Sequence, residues 1–125
     1  MPAFFEVEVI PPRIIRFCLK NYTRASIDAW AAYIREHDGK LKSPVRVLYD
    51  MREAGYPTPY AMSVASGLMQ QVQAVEDMRT AYLVKNTIQE TFYRLLTMRM
   101  PKRIGEVRVF HNEAAAIAWL SDTPK

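Results

Sequence analysis

Apolar and acidic positions alternate near the start of the chain. Phe5, Val7 and Val9 are separated by Glu6 and Glu8, a period of two that predicts a half-buried β-strand. Pro11 and Pro12 interrupt the run, and Ile14 to Leu19 begins a second strand. Strands joined so closely form an antiparallel hairpin. The period then lengthens. Ile27, Trp30, Ala31 and Ile34 recur at helical spacing behind an Asn21-Tyr-Thr23 cap, and Asp38-Gly39 supplies the stop.

Val45 to Tyr49 is nearly all apolar or β-favouring, as in a strand covered on both faces, and it ends on the carboxylate of Asp50. Thr58 caps the next helix. Pro59 suits its first position, where an amide proton would go unpaired. Ala61, Ala65, Leu68, Val72 and Val75 share a stripe edged by Met62 and Met69, so this helix is expected to reach Glu76. Thr80 to Val84 predicts a fourth strand. Asn86 or Thr87 caps a helix with Ile88, Phe92, Leu95 and Leu96 on one face, and Pro101 ends it. Val107 to Phe110 is the last strand. Asn112 caps a helix from Glu113 to Leu120 with Ala116, Ile117, Trp119 and Leu120 available for burial.

The predicted order is β-β-α-β-α-β-α-β-α. Strand–helix–strand alternation requires parallel, right-handed crossovers. The fold class is therefore α/β, a mixed sheet of about five strands, parallel apart from its N-terminal hairpin and covered by helices. With 125 residues, the chain is expected to form a single domain spanning 1–125, with residues 121–125 as a disordered tail.

Composition narrows the function classes. No apolar run approaches the roughly 20 residues of a membrane span, and the N-terminus lacks a signal-peptide pattern. A cytoplasmic protein is expected. Cys18 is the sole cysteine, so no internal disulfide forms, and its strand-like surroundings predict an inert core thiol. The net charge of +4 is spread along the chain, and the run Arg99-Met-Pro-Lys-Arg103 follows a helix end, where cations meet free carbonyls. No nucleic-acid partner is expected.

The chemistry-bearing residues do not assemble into a catalytic pattern. His37 and His111 lie in different segments without further ligands at metal spacing, and both are expected to be ordinary surface or loop residues. The four glycines form no phosphate-binding loop, and Ser63 and Ser66 lie inside a helix with no nucleophile elbow. Asp50 is a carboxylate without a partner acid, suited to capping a loop or holding Arg52. No enzyme, metal or cofactor is expected.

The loop Glu53-Ala-Gly-Tyr-Pro-Thr-Pro-Tyr60 is more informative. Its two tyrosines and two prolines make a stiff aromatic rim at the end of a strand, where open α/β sheets dock ligands. That rim suits a peptide or an apolar ligand, or covers the sheet edge. Two helices also carry surplus apolar surface. Met62 and Met69 widen one stripe, and Tyr93, Leu96 and Met100 form a second face beside Ile88, Phe92 and Leu95. An adaptable margin of this kind suits a partner surface, a homodimer seam, or deeper burial within the domain.

The strand ending Val47-Leu-Tyr-Asp50, the helix begun by Thr58, the strand Ala81-Tyr-Leu-Val84 and the closing Val109-Phe-His-Asn-Glu-Ala-Ala-Ala-Ile-Ala-Trp-Leu120 together resemble the STAS domain of anti-sigma factor antagonists. The likeness is strongest to its SpoIIAA-like relatives, which also resemble a small lipid-binding type. It implies a non-enzymatic regulatory module that works by binding a protein. It also implies a phosphorylated serine or threonine at the helix after the central strand, where this chain has only Thr58, flanked by prolines in place of the usual Asp-Ser pair. A phosphate at Thr58 would meet free amides and the positive end of the helix. The candidate partner- or ligand-binding residues are Asp50, Arg52, Tyr56, Thr58, Tyr60 and Met62. The alternative reading is a carrier of a small apolar ligand or lipid, with Tyr56, Tyr60, Met62 and Tyr93 around its pocket.

Overall fold

The computed structural model describes residues 5–11, 13–40, 44–72, 77–99 and 105–122. The chain forms β1 (Phe5–Ile10), β2 (Ile14–Leu19), α1 (Arg24–His37), β3 (Val45–Asp50), α2 (Pro59–Gln71), β4 (Met78–Leu83), α3 (Thr87–Met98), β5 (Glu106–Phe110) and α4 (Glu113–Ser121). The strands make a five-stranded sheet in the order β1-β2-β3-β4-β5. β1 pairs antiparallel with β2, and the remaining neighbours are parallel. This is the α/β architecture that the sequence predicts.

Each parallel crossover steps to the next strand in the same direction. A constant right-handed turn therefore puts α1, α2 and α3 on one face of the sheet. On that face Leu19, Ile27, Ala61 and Tyr93 share a core with Tyr49 and Tyr82, and Phe17, Val45 and Val47 pack beside Trp30 and Tyr33. Alternate residues of the same strands face the other way. Ile14, Leu48, Ala81 and Leu83 pack against Ala116 and Leu120 of α4. Arg46, only 7% exposed, ties this second layer down. It donates to the carbonyls of Leu120 at 3.0 Å and Asp77 at 2.7 Å, and to the Asp77 carboxylate at 3.1 Å.

The helix caps follow the sequence. Thr23, Thr58, Asn86 and Asn112 each accept an amide proton through the side chain. Gly105, with φ +90°, enters β5 where a Cβ would lie 2.2 Å from the Met78 carbonyl oxygen, so no other residue fits without displacing β4.

Several boundaries differ from expectation. α2 stops at Gln71, and Val72 is already extended (ψ 151°). The expected continuation to Val75 and Glu76 falls in 73–76, outside the described residues. β4 begins at Met78 and ends at Leu83, although the Val84 amide still bonds Phe110. Ser121, expected in a tail, closes α4. Residues 123–125, Met100 and Pro101 to Arg103 lie outside the described residues. α3 shows the largest difference. Ile88, Phe92 and Leu95 were expected inward with Leu96, but all three are exposed, and Gln89 and Tyr93 are the buried residues instead.

Candidate functional site

The rotation of α3 has a local cause. Gln89 is 2% exposed. Its amide nitrogen donates to the carbonyls of Met51 at 2.7 Å and Gly55 at 2.8 Å, and its oxygen accepts the Lys85 amide at 2.6 Å. The side chain thus satisfies the Lys85 amide and the Gly55 carbonyl, and gives the Met51 carbonyl, which also accepts the Ala54 amide at 3.2 Å, a second bond. Turning Gln89 inward turns the stripe of Ile88, Phe92, Leu95 and Met98 outward. Gln89→Leu keeps the volume and leaves the Lys85 amide and the Gly55 carbonyl without this partner. It is expected to cost about 2 kcal/mol in denaturant unfolding, with faster amide exchange in residues 51–55 as the local signature.

The stripe recurs at i, i+4, i+7 and i+10, and its members are 62%, 44%, 56% and 80% exposed. Tyr56, itself 45% exposed, extends it across the loop, with its ring 5.7 Å from that of Phe92. One turn away, Leu96 and Tyr93 line a cavity of about 60 Å³ together with Pro57, Ala61 and Met62. A larger cavity of about 120 Å³ lies toward the other end of α1 and α2, and the two share Phe17, Trp30, Tyr49 and Tyr82.

The shared wall is a stack of rings. Phe17, Tyr49 and Tyr82 are register partners on adjacent strands. Their centroids are 5.1 and 5.3 Å apart at 20° and 19°, and Tyr93 of α3 continues the stack at 5.0 Å. The Trp30 indole nitrogen donates to the Tyr49 hydroxyl at 3.4 Å. Burial pushes the Tyr49 phenol up to about 12 and raises those of Tyr82 and Tyr22 as well, so the cleft is lined by neutral rings.

The sequence-predicted residues do not form one surface. Asp50 points to the α4 side of the sheet, away from Thr58. Arg16 reaches its carboxylate at 2.5 Å, Arg52 at 3.0 and 2.8 Å, and the Arg52 amide at 3.2 Å. Glu113 at the start of α4 also pairs with Arg52 at 3.0 Å. Burial would raise the Asp50 carboxyl, but Arg52 and Arg16 outweigh it and hold it below the ordinary range. Asp50 and Arg52 are thus engaged with each other and with α4. Thr58 caps α2, accepting the Ala61 amide at 3.1 Å. Tyr60 is tied to α1, with its hydroxyl on Asp28 and the Arg24 guanidinium 4.0 Å over its ring. Of the six, Tyr56 sits on the exposed stripe and Met62 lines the cavity.

Cys18 is buried, and burial with the nearby Glu53 carboxylate raises its thiol, as an inert residue requires. His37 stacks on Tyr33 at 4.1 Å, and His111 pairs with Glu90 at 2.9 Å. Among the described residues no cluster of histidine, cysteine and acidic side chains could hold a metal ion, and no helix is long and apolar enough to cross a membrane.

The family model described as SpoIIAA-like matches residues 19–121. The chain belongs to the SpoIIAA-like family. A solved structure of an uncharacterized protein from Shewanella loihica, described as having a SpoIIAA-like fold, is similar over 93% of this chain and 91% of its own, with a TM-score of 0.69 and 18% identity. At that identity the likeness shows the fold alone. No curated protein matches the chain. The SpoIIAA-like match spans every element from α1 to α4, and so includes the α3 stripe and the tyrosines of the aromatic stack, while Phe17 precedes it.

Gln89, Arg16, Tyr49 and Tyr82 are the site residues that sequence reasoning missed, whereas Tyr93 and Met62, expected around a pocket, do line the smaller cavity. The stack had a signal: β3 and β4 each place a tyrosine next to last, Tyr49 before Asp50 and Tyr82 before Leu83. Aromatic residues repeated at one level of adjacent strands line up across a sheet.

Proposed function

We propose that this SpoIIAA-like protein is a non-enzymatic interaction module, and that its contact surface is the α3 stripe with Tyr56 rather than the whole loop from Asp50 to Tyr60. The observation that carries this reading is the exposure of Ile88, Phe92, Leu95 and Met98 along a single seam. Scattered exposed apolar residues are ordinary, but a contiguous row beside an exposed tyrosine marks a binding face. The spacing fits a partner that offers an amphipathic helix, seated side by side as helices pack along an apolar seam. Family membership supports a protein as the partner.

A photo-crosslinking residue placed at Leu95, with the exposed Glu36 of α1 as the control site, tests the surface in cells. A protein captured from Leu95 and absent from Glu36 supports the reading, and a crosslinked dimer would make the partner a second copy of this chain. Equal capture from both sites, or none from Leu95, counts against it.

Thr58 enters the same reading as a candidate switch, because it lies two residues from Tyr56. Thr58→Ala is expected to cost about 1 kcal/mol through the lost cap, while Thr58→Asp keeps a good capping group and its stability. The switch predicts that the aspartate variant binds the captured partner more weakly than the alanine variant. Equal affinities would end it.

A further inference from the structure

We propose that the outer edge of β1 accepts one more strand, an extended segment of a partner protein in which lysine or arginine alternates with apolar residues. The site lies at the opposite edge of the sheet from β5, over which α3 packs, so it does not depend on the α3 stripe. The backbone comes first. β1 pairs with β2 along one side, and among the described residues none of its backbone groups bonds anything else. Every second amide and carbonyl of Phe5–Ile10 therefore faces outward. Such an edge is a template for an added strand unless it is blocked. No proline, lysine or bulge interrupts β1, and Glu6 to Val9 are exposed. Its guard is charge. Glu6 and Glu8 lie on the α4 side of the strand, where Arg16 is the register partner of Glu8. Val7 and Val9 share the other side with Phe5, which packs on Phe17 and Tyr33. An incoming strand thus meets two carboxylates at alternate positions on one side and two valines on the other.

Those carboxylates hold spare charge. The cations behind them are engaged by inner acids, Arg16 by Asp50 at 2.5 Å and Lys20 by Glu53 at 3.1 Å. Glu8 and Glu6 approach the same two cations only at 3.5 and 3.6 Å, and their side chains stay 63% exposed. Arg52 and Glu113 complete this network. Its three bases, Arg16, Lys20 and Arg52, face five acids, Glu6, Glu8, Asp50, Glu53 and Glu113, a negative excess in a chain of net charge +4. Opposite charges on neighbouring strands stabilise the pair, and like charges directly opposed destabilise it. A second copy is therefore a poor occupant, because the registers of greatest overlap set Glu8 against Glu8 or Glu6 against Glu8. The β5 edge carries Glu106 and Arg108 on the corresponding side, one of each sign, and selects neither.

The probe is the peptide acetyl-Thr-Lys-Val-Lys-Val-Lys-Thr-amide, with a counterpart carrying glutamate in place of lysine. Two-dimensional NMR of the full chain follows amide shifts and amide hydrogen exchange. The lysine peptide is expected to shift the signals of Phe5 to Ile10 saturably, and the glutamate peptide to leave them in place. Strand addition also slows exchange at the outward amides of β1, about tenfold at a peptide concentration about ten times its Kd. Glu6→Gln combined with Glu8→Gln removes only exposed ion pairs, so the fold is kept. This variant should bind the lysine peptide about fivefold more weakly. No saturable shift in β1, or a shift without slowed exchange, would overturn strand addition. Equal binding of the two peptides would overturn the assigned charge. Outward amides already protected in the free protein, and exchanging faster on dilution, would give the edge to a second copy instead.

Discussion

Asp50→Ala is expected to destabilise the protein by about 3 kcal/mol, the range for removing one partner of a buried ion pair. Asp50 is 4% exposed, and the Arg16 side chain is 15% exposed. Without the carboxylate, Arg16 keeps Glu8 at 3.5 Å and Glu113 at 3.6 Å, and Arg52 keeps Glu113 at 3.0 Å, both acids being at least partly exposed. The Arg16 guanidinium stays largely desolvated, which is why the cost exceeds that of an exposed bridge. For a chain of this length the melting temperature should fall by about 10 °C.

The same pair sets a pH dependence. The folded carboxyl lies below its unfolded value, so its contribution is complete above the ordinary aspartate range. It is lost as pH falls through the depressed folded value. Urea unfolding across this range should show the gap between native protein and Asp50→Ala at its full size near neutrality and narrowing in acid. A gap that stays constant into acid would mean that packing, not charge, accounts for it.

Much of this architecture is legible in the sequence because local signals and tertiary packing agree. The proline break after Ile10 places the hairpin, although Val7 and Val9, expected on a half-buried face, are 37% and 66% exposed on this edge strand. The hydroxyl or amide caps at Thr23, Thr58, Asn86 and Asn112 mark the starts of α1 to α4. The site is less legible. Period alone assigns the α3 stripe to the core, since Ile88, Phe92 and Leu95 are the more apolar row. What decides the rotation is a polar residue, Gln89, whose partners at Met51 and Gly55 are 38 and 34 positions away in the chain. No local pattern carries that information. Asp50 is similar. Its place at the end of β3 is evident from sequence, but which face it takes depends on strand alternation relative to α4. Arg16, 34 positions earlier, is brought to it only by the pairing of β2 with β3. The candidate loop therefore divides across the sheet, with Asp50 and Arg52 holding α4 and Tyr56 lying against α3.

That division makes the exposed stripe the central claim, and Leu95→Glu the variant with the largest expected effect on binding. Leu95 is 56% exposed, so a carboxylate there stays hydrated and leaves the fold intact. In a sealed helix–helix contact the same carboxylate would be buried without a partner. Loss of the leucine contact and desolvation of the charge together correspond to roughly a hundredfold in affinity.

The deciding measurement is the dissociation constant of the protein captured at Leu95, purified and titrated against the native chain, Leu95→Glu and Arg52→Ala. The account predicts a loss of about a hundredfold for Leu95→Glu and an unchanged constant for Arg52→Ala, which lies on the opposite side of the sheet. Native affinity in Leu95→Glu, with binding lost in Arg52→Ala, would contradict it and move the contact surface to the α4 side.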